Sequence, residues 1–325
     1  MRAVRIHELI GPSGLRVDEL PDPSAGPGKI LIDVRASGVN FPDVLLSRGL
    51  YQFKPPPPFS PGGECAGVVR EVGAGVTRVA PGDRVALTQV NGTFVEKLVV
   101  AEDAVFKLPD AVSFEVGAAT LLTYLTTYHA LVDRAAIQAG ETLLVLGAAG
   151  GVGTAAIQIG KVIGARVIAA ASSDEKCDFC RTLGADATIN YGSGNIRDEL
   201  KKLTDGKGPD VVYDPVGGDL AEPVFRSIAW RGRYLVVGFA QGGIPALPLN
   251  LALLKGASIV GVFWGDFARR EPKANAAGLA ELARWYGEGK IKPVIDQRLP
   301  MSELPAAYAR MGSRKVRGKL VMVNP

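Results

Sequence analysis

An apolar run, Thr142-Leu143-Leu144-Val145-Leu146, ends in Gly147-Ala148-Ala149-Gly150-Gly151-Val152-Gly153 and passes straight into Thr154-Ala155-Ala156-Ile157-Gln158-Ile159. No other stretch of the chain restricts its fold as tightly. A buried strand, a glycine turn and a helix N-terminus in that order form the phosphate-binding corner of a dinucleotide fold. Without Cβ atoms the backbone can approach a pyrophosphate closely. The unpaired N–H groups and the dipole of the helix start favour its negative charge. A tight strand-to-helix turn with no ligand is the other reading. The strand and helix on either side favour the nucleotide.

The rest of the chain falls into two textures. In the first third, residues 29–36, 66–72, 83–87 and 94–100 read as strands, with Asn91-Gly92 as a turn signal. Glycine and proline punctuate them as in a small barrel. After Pro109 a helical stretch over 114–131 leads into strands at 143–146, 166–171, 187–189, 211–213, 234–237 and 258–263. Their alternation with helices predicts an α/β fold with a six-stranded parallel sheet covered on both faces. A helix over 274–288 and a strand-rich tail ending at 319–323 break the alternation and are expected to return to the first domain. The expected division is 1–122 with 266–325, and 123–265. Lys54-Pro55-Pro56-Pro57-Pro58 reads as a stiff surface loop, with a partner-binding polyproline segment as the alternative.

Composition removes several classes. Of 325 residues 47% are hydrophobic and 22% charged, as in ordinary globular enzymes. A net charge of +4, evenly spread, argues against nucleic acid or membrane partners. Three cysteines do not make a disulfide framework. The N-terminus alternates like a strand and lacks a signal-peptide core. A cytoplasmic location is expected.

The second dinucleotide strand, 166–171, runs into Ser172-Ser173-Asp174-Glu175-Lys176. An NAD site places an acidic residue at the end of this strand for the ribose 2′-hydroxyl. Here two hydroxyls and a lysine suit a 2′-phosphate. Asp174 and Glu175 come late and suit a helix N-terminus. NADPH is therefore expected over NADH.

Several separated motifs carry a resemblance. Gly38-Val39-Asn40-Phe41-Pro42-Asp43, Pro61-Gly62-Gly63-Glu64-Cys65-Ala66-Gly67-Val68-Val69, Ala148-Ala149-Gly150-Gly151-Val152-Gly153 and Leu183-Gly184-Ala185-Asp186-Ala187-Thr188-Ile189-Asn190-Tyr191 occur in order along nearly the whole chain. In these the chain resembles the zinc-independent quinone oxidoreductase (zeta-crystallin-like) branch of the medium-chain dehydrogenase/reductase superfamily. The resemblance implies a GroES-like β-barrel catalytic domain beside a Rossmann domain. It implies cofactor contacts from Thr126, from Ala149, Gly150, Gly151, Val152 and Gly153, from Ser172, Ser173, Lys176 and Tyr191, and from Gly238, Phe239 and Ala240. Phe263 and Trp264 line the pocket or belong to packed core. A basic residue of Arg314-Lys315-Val316-Arg317-Gly318-Lys319 is expected near the phosphate, although such a run otherwise reads as a solvated face.

Zinc-dependent members of the superfamily place a cysteine where Asn40 stands and a histidine where Gly63 stands. The soft ligands His7, His129, Cys65, Cys177 and Cys180 are scattered, so no metal is expected. Without a Lewis acid the acceptor must stabilise its own negative charge, as quinones and conjugated enones do. Asn40 reads as a hydrogen-bond donor to a substrate oxygen or as a turn residue, and Asp43 as a residue that orders a loop and a helix start. Tyr51 aligns with a tyrosine that is the proposed proton donor of related enoyl-thioester reductases, or it is an apolar pocket wall. The substrate is expected between the domains. The readings are an NADPH-dependent quinone oxidoreductase, a reductase of enones, haloacrylates or enoyl thioesters, and a non-enzymatic NADPH-binding structural or RNA-binding protein. The resemblance and the apolar last strand, 258–263, imply a homodimer.

Overall fold

Strand Lys29–Val39 is the spine around which the N-terminal sequence folds. In this computed structural model, which describes every residue from Met1 to Pro325, it pairs antiparallel with Glu64–Val72 on one side and with the terminal strand Lys319–Val323 on the other. The sheet runs Ile295–Pro300, Lys319–Val323, Lys29–Val39, Glu64–Val72, Arg84–Thr88, Val105–Lys107, and Lys97–Ala101 also pairs with the spine. Register shifts at Leu31/Ile32 and Val34/Ala36 bend it, as bulges do in barrel-like sheets. Ile30, Ile32, Val34, Cys65, Val85 and Leu87 fill one core and Val39, Val44, Phe94, Tyr308 and Leu320 another. The tail is not all strand: Leu304–Gly312 is a helix whose Leu304, Ala307 and Tyr308 are buried.

The second unit is the parallel sheet, in the order Ala187–Asn190, Arg166–Ala171, Thr142–Val145, Val211–Asp214, Arg233–Val236, Ser258–Gly261. Leu143, Leu144 and Val145 are fully buried, as a strand covered on both faces requires. The strand order reverses between Thr142–Val145 and its two neighbours. Ligands of open α/β sheets bind outside the strand ends at such a point.

The two compact units are Met1–Leu122 with Val294–Pro325, and Thr123–Pro293. The return to the first unit thus falls at Val294 and not at 266. The helices Trp264–Arg270 and Pro272–Gly287 pack inside the second unit, where Trp285 lies 5.7 Å from Tyr128 and Phe267 stacks on His129 at 3.9 Å between ring centroids. No helix is long and apolar enough to cross a membrane.

Candidate functional site

The glycine corner is built as its sequence requires. Strand Thr142–Val145 leads into a turn at Gly147, whose φ of 58° is strained for a residue with a side chain. The helix Gly151–Ile163 then starts at Gly150, with no side chain capping it. Its first N–H groups have no partner within the helix and point past its end. A Cβ on Gly153 would lie 2.5 Å from the Gly147 carbonyl oxygen and 2.7 Å from the Ala148 Cα, so this glycine lets helix and turn touch. A Cβ on Gly150 would meet nothing nearer than the Gly147 oxygen at 3.4 Å and would otherwise fill open space. One glycine serves packing and the other leaves a cradle, which fits a pyrophosphate. Thr127, fully buried beside the half-buried Thr126, donates to the Thr123 carbonyl and shares a 3.0 Å hydrogen bond with the Tyr213 hydroxyl. It thereby braces the floor under the corner.

At the end of Arg166–Ala171, Lys176 Nζ donates to Ser172 Oγ at 3.4 Å, and the Ser173 hydroxyl accepts the Lys176 N–H as N-cap of the helix Asp174–Thr182. Asp174 accepts a 2.8 Å hydrogen bond from Asn190 Nδ2, so its carboxylate is engaged by the neighbouring strand. The lysine and serines remain as a group suited to a phosphate. Tyr191 follows the Ala187–Asn190 strand and is half-buried.

Sequence reasoning missed the support of the next strand end. Asp214 accepts from the Tyr234 hydroxyl at 2.5 Å and from the N–H groups of Val216 and Gly217. Burial raises its carboxyl above the usual carboxylate range, and these donors offset only part of that. The segment Gly238-Phe239-Ala240 hangs on this loop: Gly238 N–H donates to the Asp214 carbonyl and Ala240 N–H to that of Pro215. Phe263 is exposed, whereas Trp264 is buried with its Nε1 donating to Asn275 Oδ1 at 2.8 Å. The indole of Trp264 is thus packed and hydrogen-bonded within the second unit.

The first unit holds a second constellation. Asn40, Asp43, Glu64 and Lys319 are all at least nine-tenths buried. Asn40 starts the helix Phe41–Ser47, and the Asp43 carboxylate accepts its N–H at 2.8 Å. Burial pushes the Asp43 carboxyl up to about 7, while the N–H groups of Asn40 and Gly62 and the Lys319 charge pull it down. The Asn40 amide donates to Glu64 Oε1 at 2.9 Å and to the Gly38 carbonyl at 3.3 Å, and its oxygen accepts from Lys319 at 2.5 Å. Both its hydrogens are therefore committed within the protein and not directed at a substrate oxygen. Lys319 is no solvated member of the basic run: its ammonium sits 2.7 Å from Glu64. Half-buried Tyr51 packs against the core that includes Val44, Leu46 and Tyr308, and burial together with the nearby Asp43 carboxylate makes its phenol less acidic than usual.

No three His, Cys, Asp or Glu side chains converge to hold a metal ion. His7 pairs with Asp18 at 2.9 Å, and His129 Nδ1 lies 3.0 Å from Asp133. Cys65 is buried in its strand, and Cys177 and Cys180 are buried on their helix, with burial pushing Cys180 up to about 12. An amide, an ammonium and two carboxylates already engaged by N–H donors, with no imidazole or thiolate among them, do not fit a zinc ion at the Asn40 centre.

A parallel sheet with an open glycine corner, preceded by a barrel-like antiparallel unit, defines an oxidoreductase of the medium-chain dehydrogenase/reductase class. Residues 26–110 match the family model described as alcohol dehydrogenase GroES-like domain, and residues 151–281 the one described as zinc-binding dehydrogenase. The chain is 38% identical to rat quinone oxidoreductase-like protein 2, over 99% of this chain and 91% of that one. It is 36% identical to a quinone oxidoreductase of Pseudomonas aeruginosa, over 96% of each. Escherichia coli quinone oxidoreductase, crystallised with NADPH, superposes with a TM-score of 0.92 at 29% identity, with full coverage of both chains. The chain belongs to the quinone oxidoreductase family.

Proposed function

We propose that this chain is an NADPH-dependent reductase that transfers hydride to a quinone or a similar conjugated acceptor without zinc. The observation that carries the reading is the pairing of an uncapped, open glycine corner with Lys176 and Ser172 at the end of the next strand. The first accommodates a pyrophosphate and the second a ribose phosphate. NADPH, when bound, supplies the hydride. The N–H groups at Gly151–Ile163 hold the pyrophosphate, and Lys176 with the two serines selects the phosphorylated ribose. The loop braced on Asp214 carries Gly238-Phe239-Ala240 toward the nicotinamide half. The NADPH complex of the Escherichia coli relative supports this choice of cofactor.

On the acceptor side, Tyr51 keeps its phenolic proton throughout the neutral range. It is the group here that can donate to an oxyanion as charge develops. Asn40 acts by fixing the helix start behind it. An assay of NADPH oxidation over quinones, enones and enoyl thioesters, with product identification, tests the reading. Quinones are expected to be reduced with a lower KM for NADPH than for NADH, and no turnover of any conjugated acceptor would refute it. In the same assay Tyr51→Phe is expected to lower kcat about 100-fold or more, as loss of a donor to a developing oxyanion does. A change below twofold would remove Tyr51 from the chemistry.

The chain is also proposed to form a homodimer through strand Ser258–Gly261. It is the edge of the parallel sheet, and Leu253, Ile259 and Phe263 around it are exposed. An apolar sheet edge pairs readily with its twin. Light scattering is expected to give twice the chain mass, and Ile259→Lys to give the monomer. A monomeric parent would defeat the proposal.

A further inference from the structure

Lys319 occupies a position that stability alone does not account for. It is 4% exposed, and its three ammonium hydrogens have three acceptors: Asn40 Oδ1 at 2.5 Å, Glu64 Oε1 at 2.7 Å and the Val39 carbonyl at 2.9 Å. The partners are satisfied in turn. Glu64 Oε1 also accepts from Asn40 Nδ2 at 2.9 Å, and Glu64 Oε2 accepts from the Leu122 N–H at the same distance. Replacing a buried ion pair by apolar groups of like volume is often neutral or stabilising. A pair kept in this form therefore invites a reason other than stability. The geometry supplies one. The ammonium joins three separate pieces of chain: the terminal strand Lys319–Val323, the Val39-Asn40 exit from the spine, and the first residue of Glu64–Val72. It holds them through directed contacts from one positive centre, as a coordinated cation would. Gly38 shows how close the fit is, since a Cβ there would lie 2.5 Å from Glu64 Oε1 and 2.2 Å from the Ala118 carbonyl oxygen.

We propose that Lys319 is a positioning residue for the reductase reaction, an internal ammonium that together with Glu64 fixes Asn40 and the helix start Phe41–Ser47 in one arrangement. Its functional part rests on the reading given above. What it organises is the segment leading from Asn40 through Asp43 toward Tyr51. Lys319 itself touches no substrate.

The test separates this role from bulk stability. Lys319→Met alone leaves Glu64 buried and unpaired, and its melting temperature is expected to fall. In the double variant Glu64→Gln/Lys319→Met the ion pair is removed as a unit, and the opposing effects of Lys319 and Glu64 on Asp43 go with it. Melting is expected to return to within a few degrees of the parent, while kcat for quinone reduction stays about tenfold or more below it. NADPH affinity, read directly by fluorescence titration, is expected to be unchanged. Amide hydrogen exchange across residues 38–47 of the double variant is expected to quicken about tenfold or more, since local opening is no longer held by the ammonium. A stable double variant with parental kcat and parental exchange would overturn the proposal. Exchange reads the positioning without any substrate, so a parent protein that turns over no conjugated acceptor refutes the functional reading and leaves the positioning result to stand or fall by itself.

Discussion

Gly153→Ala is expected to lose measurable NADPH binding and to be destabilised by about 1–3 kcal/mol, whereas Gly150→Ala keeps its stability and loses only affinity. The added methyl at 153 has nowhere to go, because the atoms it meets are the Gly147 oxygen and the Ala148 backbone, which have no rotamer to change. The turn must move, and overpacking of this kind costs a few kcal/mol. There is little spare room on the other side of the turn, since a Cβ added to Gly147 would lie 2.8 Å from Val216 Cγ2. At Gly150 the methyl enters open space, so the folded chain tolerates it. A pyrophosphate seated there does not. Denaturant melts and NADPH titration of both variants check the pair. Equal melts for the two would overturn the packing role of Gly153, and parental affinity in Gly150→Ala would show that the corner is a turn without a ligand.

Lys176→Ala is expected to weaken NADPH binding by about 10- to 150-fold while leaving NADH unaffected. The loss corresponds to about 1.5–3 kcal/mol for a charge-assisted hydrogen bond to phosphate. Selectivity follows from the surroundings. Ser172 and Ser173 lie beside the lysine, and the one nearby carboxylate on the same turn with a partner in the next strand, Asp174, is held by Asn190. With one Asp174 oxygen engaged by Asn190, the lysine and the two serines are the groups expected to meet a 2′-phosphate. Dissociation constants for both cofactors check this, and a parallel loss for NADH would show that Lys176 acts on the fold and not on the phosphate.

The dinucleotide unit was legible in the sequence because its information is local. A buried strand, a glycine turn and a helix with alanine and isoleucine at core positions lie within one short stretch, and each neighbour confirms the next. The strands 166–171 and 211–213 were readable for the same reason, since a strand buried on both faces is a continuous apolar run. The helices after Trp264 were harder. Their sequences are amphipathic on either assignment, and only the stacking of Phe267 on His129 and the packing of Trp285 on Tyr128 set them in the second unit. The Phe263-Trp264 pair likewise split only when the Nε1 of Trp264 found Asn275.

The Asn40 centre shows the boundary between the two kinds of information. Asn40, Asp43 and Glu64 stand in recognisable motifs, so their importance was visible, but the hydrogen bonds that consume the Asn40 amide were not. Lys319 sits in a run of basic residues that by its pattern belongs in water. It is drawn into the interior because Lys319–Val323 pairs antiparallel with Lys29–Val39, with Leu320 opposite Val39, and so delivers the ammonium to a carboxylate 255 residues away. Local propensity and glycine spacing determined the glycine corner. The partner of a buried charge was decided by strand register, a long-range property that no window of sequence contains.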